Sequence, residues 1–213
     1  MIRKKFVQSI KELIFSQRCP ICLRSNSDSH YICFECYRDL KRKGSLKNIE
    51  NYYYLYYYDE SIKRLIADFK LKNRKSLGKE IALLMKKPLN SLIDEKNVDI
   101  VLPVPISKAR ERERGFNQVE ELLEECEISY EKVYREKNTE HMYKFLNEEK
   151  RKENIYKAFQ NKGLDLNGKT ILIVDDIVTT GSTIKEMIKE LTKKSTPKQI
   201  YIFSFAVSKI FKP

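Results

Sequence analysis

The run Ile171-Leu172-Ile173-Val174-Asp175-Asp176-Ile177-Val178-Thr179-Thr180-Gly181-Ser182-Thr183 sets four consecutive aliphatic residues ahead of two acids and a hydroxyl-rich turn. An unbroken aliphatic stretch of this kind suits a strand covered on both faces, as inside a parallel sheet. The acids then fall at the carboxyl end of that strand. Open α/β sheets bind ligands there, so two carboxylates suit a polyol or a metal better than a structural role. Thr179, Thr180, Ser182 and Thr183 offer hydroxyls, and Gly181 lets the backbone come close. The helical pattern from about Ile184 sets free N–H groups and a positive dipole end against an anion. Acids on one rim and donors on the other match a sugar phosphate. A buried strand ending in a capped turn would account for the aliphatics and one Asp, but not for the second acid or the hydroxyl cluster. A P-loop is excluded, because the G-x-x-x-x-G-K spacing and its phosphate-reaching Lys are missing.

The string closely resembles the phosphoribosyl diphosphate (PRPP) binding motif of type I phosphoribosyltransferases. The resemblance implies that Asp175 and Asp176 contact the ribose hydroxyls and that Thr179, Thr180, Gly181, Ser182 and Thr183 hold the ribose phosphate. At 213 residues the chain can bury one full core plus a small module. Its 34% charged and 41% hydrophobic content belongs to a soluble globular protein. No apolar stretch approaches the roughly 18 residues that span a bilayer. The start Met1-Ile2-Arg3-Lys4-Lys5 resembles a signal peptide, but Gln8, Ser9, Lys11 and Glu12 interrupt any apolar core, and a cytoplasmic location is expected. Residues 1–50 hold 11 Lys/Arg against 5 Asp/Glu, half of the net excess of +12. That excess fits a polyanionic partner or a small anionic ligand. The many Lys, Asn and Ile residues fit a compositional bias as well, so charge alone is weak support for nucleic-acid binding.

Cys19-x2-Cys22 and Cys33-x2-Cys36 form two C-x-x-C knuckles ten residues apart. In a reducing compartment this spacing reads as a tetrahedral zinc site, because four thiolates close a tetrahedron and fold a segment too short for its own core. Four protein ligands leave no open coordination position, so the ion is expected to be structural. Without it, order across residues 19–36 should be lost. A redox role for the C-x-x-C pairs is the alternative, but neither pair sits in a thioredoxin-like βαβ pattern. His30 lies between the knuckles, either as a substitute ligand or as a surface histidine. Cys126, after Leu122 and Leu123, is expected to be a small buried hydrophobe.

Phe6, Ile10, Leu13 and Ile14 recur at helical spacing before the knuckles. A basic turn at Lys41-Arg42-Lys43-Gly44-Ser45 leads to a boundary near residue 50, dividing the chain into a module over 1–50 and a main domain over 51–213. Asn51 to Asp59 predicts a strand with aromatics on both faces, its tyrosines core and sheet neighbours, with base stacking as the rarer use. Ile62, Leu65, Ile66 and Phe69 predict a helix ending near Lys70, and Leu77, Ile81, Leu84 and Met85 a second ending before Pro88. Val98 to Leu102 predicts a short buried strand, with a loop forced at Pro103-Val104-Pro105. Helix follows over 115–126 and parts of 141–160, strand over 130–134, helix over 183–194 and a last strand from Gln199 to Val207. This alternation predicts an α/β fold with a parallel sheet flanked by helices.

Ser107-Lys108-Ala109-Arg110-Glu111-Arg112-Glu113-Arg114 on its own reads as a solvated helix face with local ion pairs. A loop leaving the carboxyl end of a neighbouring parallel strand, however, opens onto the same sheet edge as the two acids. Lys108, Arg110, Arg112 and Arg114 can therefore meet a diphosphate there. The order of features resembles the ComF family, phosphoribosyltransferase-like proteins associated with natural transformation. It comprises the four-cysteine module, D-I-V-L-P-V-P, R-x-R-G-F-N-Q, N-x-x-x-A-F at Asn154 to Phe159, and the PRPP motif. The resemblance implies a type I phosphoribosyltransferase fold, a cytoplasmic location and the handling of incoming single-stranded DNA. One departure stands out. Relatives usually carry T-x-x-Q-x-x-L where this chain has Thr139-Glu140-His141-Met142-Tyr143-Lys144-Phe145-Leu146, with no Gln.

Three functions compete. An enzyme would bind PRPP with Mg²⁺, anchor the ribose on Asp175 and Asp176, and close Arg112 and Arg114 over the departing diphosphate. Such an enzyme could serve nucleotide or small-molecule metabolism with no DNA role. A binding module would keep the fold without turnover and track single-stranded DNA with cations and aromatics. In a third reading the zinc module docks a helicase or recombinase.

Overall fold

In the computed structural model of the chain, the described residues are 17–26, 30–71, 75–135, 159–160, 163–193 and 195–213. The expected helix through Phe6 and Ile14, the 139–146 segment and most of the expected helix over 141–160 lie outside them. A two-stranded antiparallel ribbon, β1 (Gln17–Arg18) and β2 (Ser25–Asn26), brackets the first knuckle, and α1 (Phe34–Lys43) starts inside the second. β3 (Lys47–Ile49) and β4 (Tyr52–Tyr57) form a hairpin, followed by α2 (Glu60–Leu71) and α3 (Lys75–Lys96). Then come β5 (Ile100–Pro103), α4 (Lys108–Arg114), α5 (Gln118–Glu125) and the short pair β6 (Tyr134–Arg135) and β7 (Phe159–Gln160). β8 (Thr170–Val178), α6 (Ser182–Leu191) and β9 (Gln199–Val207) complete the order.

The main sheet runs β3-β4-β9-β8-β5, with β4, β9, β8 and β5 parallel and β3 antiparallel at one edge. Helices cover both faces, so the central strands read as aliphatic runs rather than alternating ones. On one face Leu65, Phe69, Ile81, Met85 and Leu123 pack over Leu55, Leu172 and Phe203, and Cys19, Ile32 and Leu40 of the cysteine module join the same core. On the other, Ile184, Met187 and Leu191 of α6 pack with Leu166 and Phe211 against Ile171, Ile173 and Ile202. The four parallel strands bring their carboxyl ends to one edge.

Several expectations shift in detail. The helix begun at Lys75 does not stop before Pro88 but runs through it to Lys96. An interior Pro costs roughly 3 kcal/mol. Leu89 and Leu92 beyond it are fully buried, each contributing about 1.5–3 kcal/mol, and this outweighs the break. Pro103 belongs to β5 rather than opening the loop, because β5 is an edge strand where a missing N–H is tolerated, and Val104 N–H still donates to the Val174 carbonyl at 2.8 Å. β8 extends four residues past its aliphatic run, held by the pairs Asp175–Ser204, Ile177–Ala206 and Val178–Val207. Within the tyrosine run, Tyr52, Tyr54 and Tyr56 are buried and Tyr57 is exposed. The first three are core.

Candidate functional site

The four sulfurs of Cys19, Cys22, Cys33 and Cys36 lie within 4.8 Å of one another, and all four thiols are free. Two details of the chain bring them together. In the first knuckle Cys19 N–H donates to the Arg24 carbonyl at 3.0 Å and Leu23 N–H to the Cys19 carbonyl at 2.9 Å. In the second, Cys33 is the residue before α1 and Cys36 lies in its first turn, where the helix dipole favours thiolates. Burial acts to raise the Cys19 thiol, but backbone N–H groups of Cys22, Cys33 and Ile21 outweigh it and hold the thiol below its ordinary value. Burial raises Cys33 and Cys36. The 3.8 Å between the Cys22 and Cys33 sulfurs is the edge of a tetrahedron with bonds of about 2.3 Å, the length of a zinc–thiolate bond. The donor set therefore fits a metal such as zinc. His30 stays outside the cluster, with its side chain 71% exposed and its Nδ1 3.9 Å from Glu80. Cys126 is fully buried beside the Ala82 carbonyl, as a small apolar residue should be.

One buried and one half-buried charge seat this module on the sheet domain, and neither stands out in the sequence. The Glu80 carboxylate on α3 accepts from the Tyr31 and Ile32 N–H groups at 2.7 and 2.8 Å. Arg64 on α2 donates from Nη2 to the Ile21 carbonyl at 2.7 Å.

At the carboxyl edge of the sheet, Asp175 and Asp176 occupy successive positions of β8, and Asp176 N–H donates to Asp175 Oδ1 at 2.8 Å. Asp176 is 6% exposed, and its Oδ2 meets Lys70 Nζ, from the last turn of α2, at 2.5 Å. Burial, reinforced by the neighbouring Asp176 carboxylate and opposed by Lys70, pushes the Asp175 carboxyl up to about 8. The pair thus carries less negative charge than two free carboxylates, and it can both accept and donate hydrogen bonds, as a diol requires. Lys70 is the cation that sequence reading missed. It lies in a different element from the motif, and only the packing of α2 brings it to β8.

Residues 179–183 follow directly. Gly181 takes the left-handed conformation at φ 71° as the N-cap of α6, and Lys185 N–H donates to its carbonyl at 2.9 Å. Thr180 Oγ1 and Ser182 Oγ lie 3.0 Å apart, and Thr179, Thr180 and Ser182 are exposed, so their hydroxyls face outward above the helix start. On the neighbouring edge strand, the chain leaves β5 and enters α4, capped by Ser107 and ended by Gly115 at φ 78°. Arg114 is half-buried and donates to Gln118 at 2.9 Å. Burial and Arg110 push its guanidinium down, while Asp176 and Glu113 pull the other way. Lys108, Arg110 and Arg112 are exposed on α4, and among the described residues no acid pairs with them. The acids and the hydroxyl loop are therefore adjacent on β8 and α6, Arg114 joins them electrostatically, and the other three cations lie on α4, the helix that follows β5.

The phosphoribosyl transferase domain family matches residues 70–209. Competence protein ComFC of Bacillus subtilis is 30% identical over 193 residues, covering 87% of this chain and 76% of that protein. DNA utilization protein YhgH of Escherichia coli is 28% identical over 186 residues, covering 82% and 78%. Competence protein ComFC of Streptococcus pneumoniae is 28% identical over 193 residues, covering 91% and 82%. Among the described residues no helix is long and apolar enough to cross a membrane.

Proposed function

The chain belongs to the phosphoribosyl transferase domain family and to its ComF group, and from that premise we propose that it binds PRPP at Asp175–Asp176 and serves DNA uptake by handling single-stranded DNA. The observation that carries the PRPP reading is the acid pair near the end of β8, Asp176 buried and Asp175 partly so, followed by a hydroxyl-lined, glycine-capped helix start. The ribose hydroxyls would bond to the carboxylates, with half-buried Asp175 the more open of the two and Asp176 held in place by Lys70. The 5-phosphate would sit against the N–H groups and hydroxyls of Thr179 to Thr183. Lys108, Arg110, Arg112 and Arg114 would meet the diphosphate from the flank, and neutralising it as it leaves is the protein's main contribution to any transfer. Mg²⁺, when bound with PRPP, supplies further charge at the diphosphate.

The module formed by residues 1–50 would hold structural zinc and the domain over 51–213 the sugar phosphate. Support for the DNA reading comes from the tip of the second knuckle. Phe34 is 68% exposed there, and the Arg38 guanidinium lies 5.5 Å from its ring centre. An exposed ring beside cations is what a base stacking along a single strand requires. Calorimetric titration with PRPP and Mg²⁺ tests the ligand reading: wild type should bind, and Asp176→Asn should lose most of the affinity. Equal binding by both would remove the acids from the site. For DNA, affinity for a single strand should fall steeply with salt and drop on Phe34→Ala. A flat salt response would leave an enzyme without a DNA role.

A further inference from the structure

We propose that Arg64 is a positioning residue that ties the placement of Lys70 against Asp176 to the folded state of the four-cysteine module. Arg64 reaches out of α2 to the Ile21 carbonyl, one residue before the metal-ligating Cys22, at 2.7 Å. Its Nε is buried without a hydrogen-bond partner, so this carbonyl is the contact that holds the guanidinium. Six residues on, about 9 Å along the helix axis, Lys70 meets Asp176 at 2.5 Å. Between them Leu65, Ile66 and Phe69 are buried to within 1% of full burial on the sheet, so the helix transmits a displacement as a rod.

Ile62 in the first turn of α2 is buried in the core that Cys19 and Leu40 of the module share. A cleft of about 550 Å³ opens beside that contact, lined by Cys22, Cys36, Asp59, Ser61 and Ile62 among others. Arg64 adds a polar tie between α2 and the module to that apolar contact. With Cys19, Cys22, Cys33 and Cys36 free of metal, the Cys19–Arg24 turn would lose its fastening. The Ile21 carbonyl then moves away, the partly buried guanidinium loses its acceptor, and α2 loses its polar tie at that end. Lys70 shifts with it, and the acid pair loses its nearest cation. Among the described residues, the charged groups that face Asp175 are Asp176 on its own strand and Lys70 from α2, with Arg114 of α4 acting on Asp176. Loss of Lys70 thus raises the pH at which Asp175 ionises. Only the ligand arm of the test below rests on the PRPP reading.

The test follows the Asp175 carboxyl by carbon NMR in full-length protein as pH is varied. It compares zinc-loaded wild type, zinc-loaded Arg64→Met and Arg64→Lys with zinc content measured, and wild type stripped by a chelator. The ionisation midpoint is expected to move to higher pH in Arg64→Met and in stripped wild type, and to return toward wild type in Arg64→Lys, which keeps a donor. PRPP affinity in the presence of Mg²⁺ should fall about tenfold in parallel, within the usual range of coupling between sites. A midpoint unmoved in stripped wild type overturns the proposal even if Arg64→Met does not fold. So does a midpoint that moves on stripping but not in zinc-loaded Arg64→Met. If the midpoints move as expected while wild type fails to bind PRPP, the coupling stands and the ligand reading falls.

Discussion

Glu80→Ala should loosen the cysteine module from the sheet domain. The carboxylate is 7% exposed and accepts two backbone N–H groups at 2.7 and 2.8 Å, both just ahead of Cys33. Hydrogen bonds to a charged group are each worth about 1.5–3 kcal/mol, and truncation leaves both donors facing a void. Some water can enter from the His30 side, so the net loss should be about 3 kcal/mol rather than the full sum. For a chain of this size that corresponds to a fall of about 6–12 °C in Tm. Glu80→Gln keeps one acceptor oxygen and should lose about half as much. The assay is thermal unfolding in buffer with excess zinc, paired with the rate at which a chelator extracts the metal, which should rise in both variants. A Glu80→Ala protein within about 0.5 kcal/mol of wild type, with unchanged metal release, would refute the view that this carboxylate seats the module.

Asp175→Asn should stabilise the protein in a pH-dependent way. The folded carboxyl ionises near 8 against an ordinary 3.8. Between those values the native state keeps a proton that the unfolded state has lost, so stability falls as pH rises through the window and levels off above about 8. The variant's Tm advantage should therefore grow from about pH 4 to about pH 8, and a constant difference would contradict the raised ionisation of Asp175. Gly181→Ala places a methyl 2.9 Å from the Phe211 ring at a φ of 71°. It should cost about 1–2 kcal/mol by denaturant unfolding and weaken phosphate binding, whereas an unchanged midpoint would mean that the turn relaxes freely. Chelation should raise hydrogen exchange across residues 19–36 while β8 and β9 stay protected, and uniform exchange throughout would contradict a module folded by its metal.

The parallel sheet could be read from Ile171–Val174 and Gln199–Val207 because strands buried on both faces write their position as largely apolar runs, and the structure ends β9 at the residues expected. The cysteine cluster was visible for a similar reason, since ligand spacing is local. What the sequence could not carry were contacts made by ordinary residues across long separations. Lys70, Arg64 and Glu80 are single charges on amphipathic helices, indistinguishable from solvent-facing neighbours until α2 and α3 are docked. Pro88 misled for the opposite reason, because a strong local signal was overruled by the burial of Leu89 and Leu92. The strand's extension to Val178 was hidden by its acids, which occupy ladder positions that backbone pairing, not side-chain character, decides.

The most direct measurement is a crystal structure of the protein with PRPP and Mg²⁺. The ribose hydroxyls should lie within hydrogen-bond reach of Asp175 and Asp176, with the 5-phosphate against the N–H groups of residues 179–183. PRPP lodged elsewhere, or a β8 edge that stays empty at saturating ligand, would contradict the account.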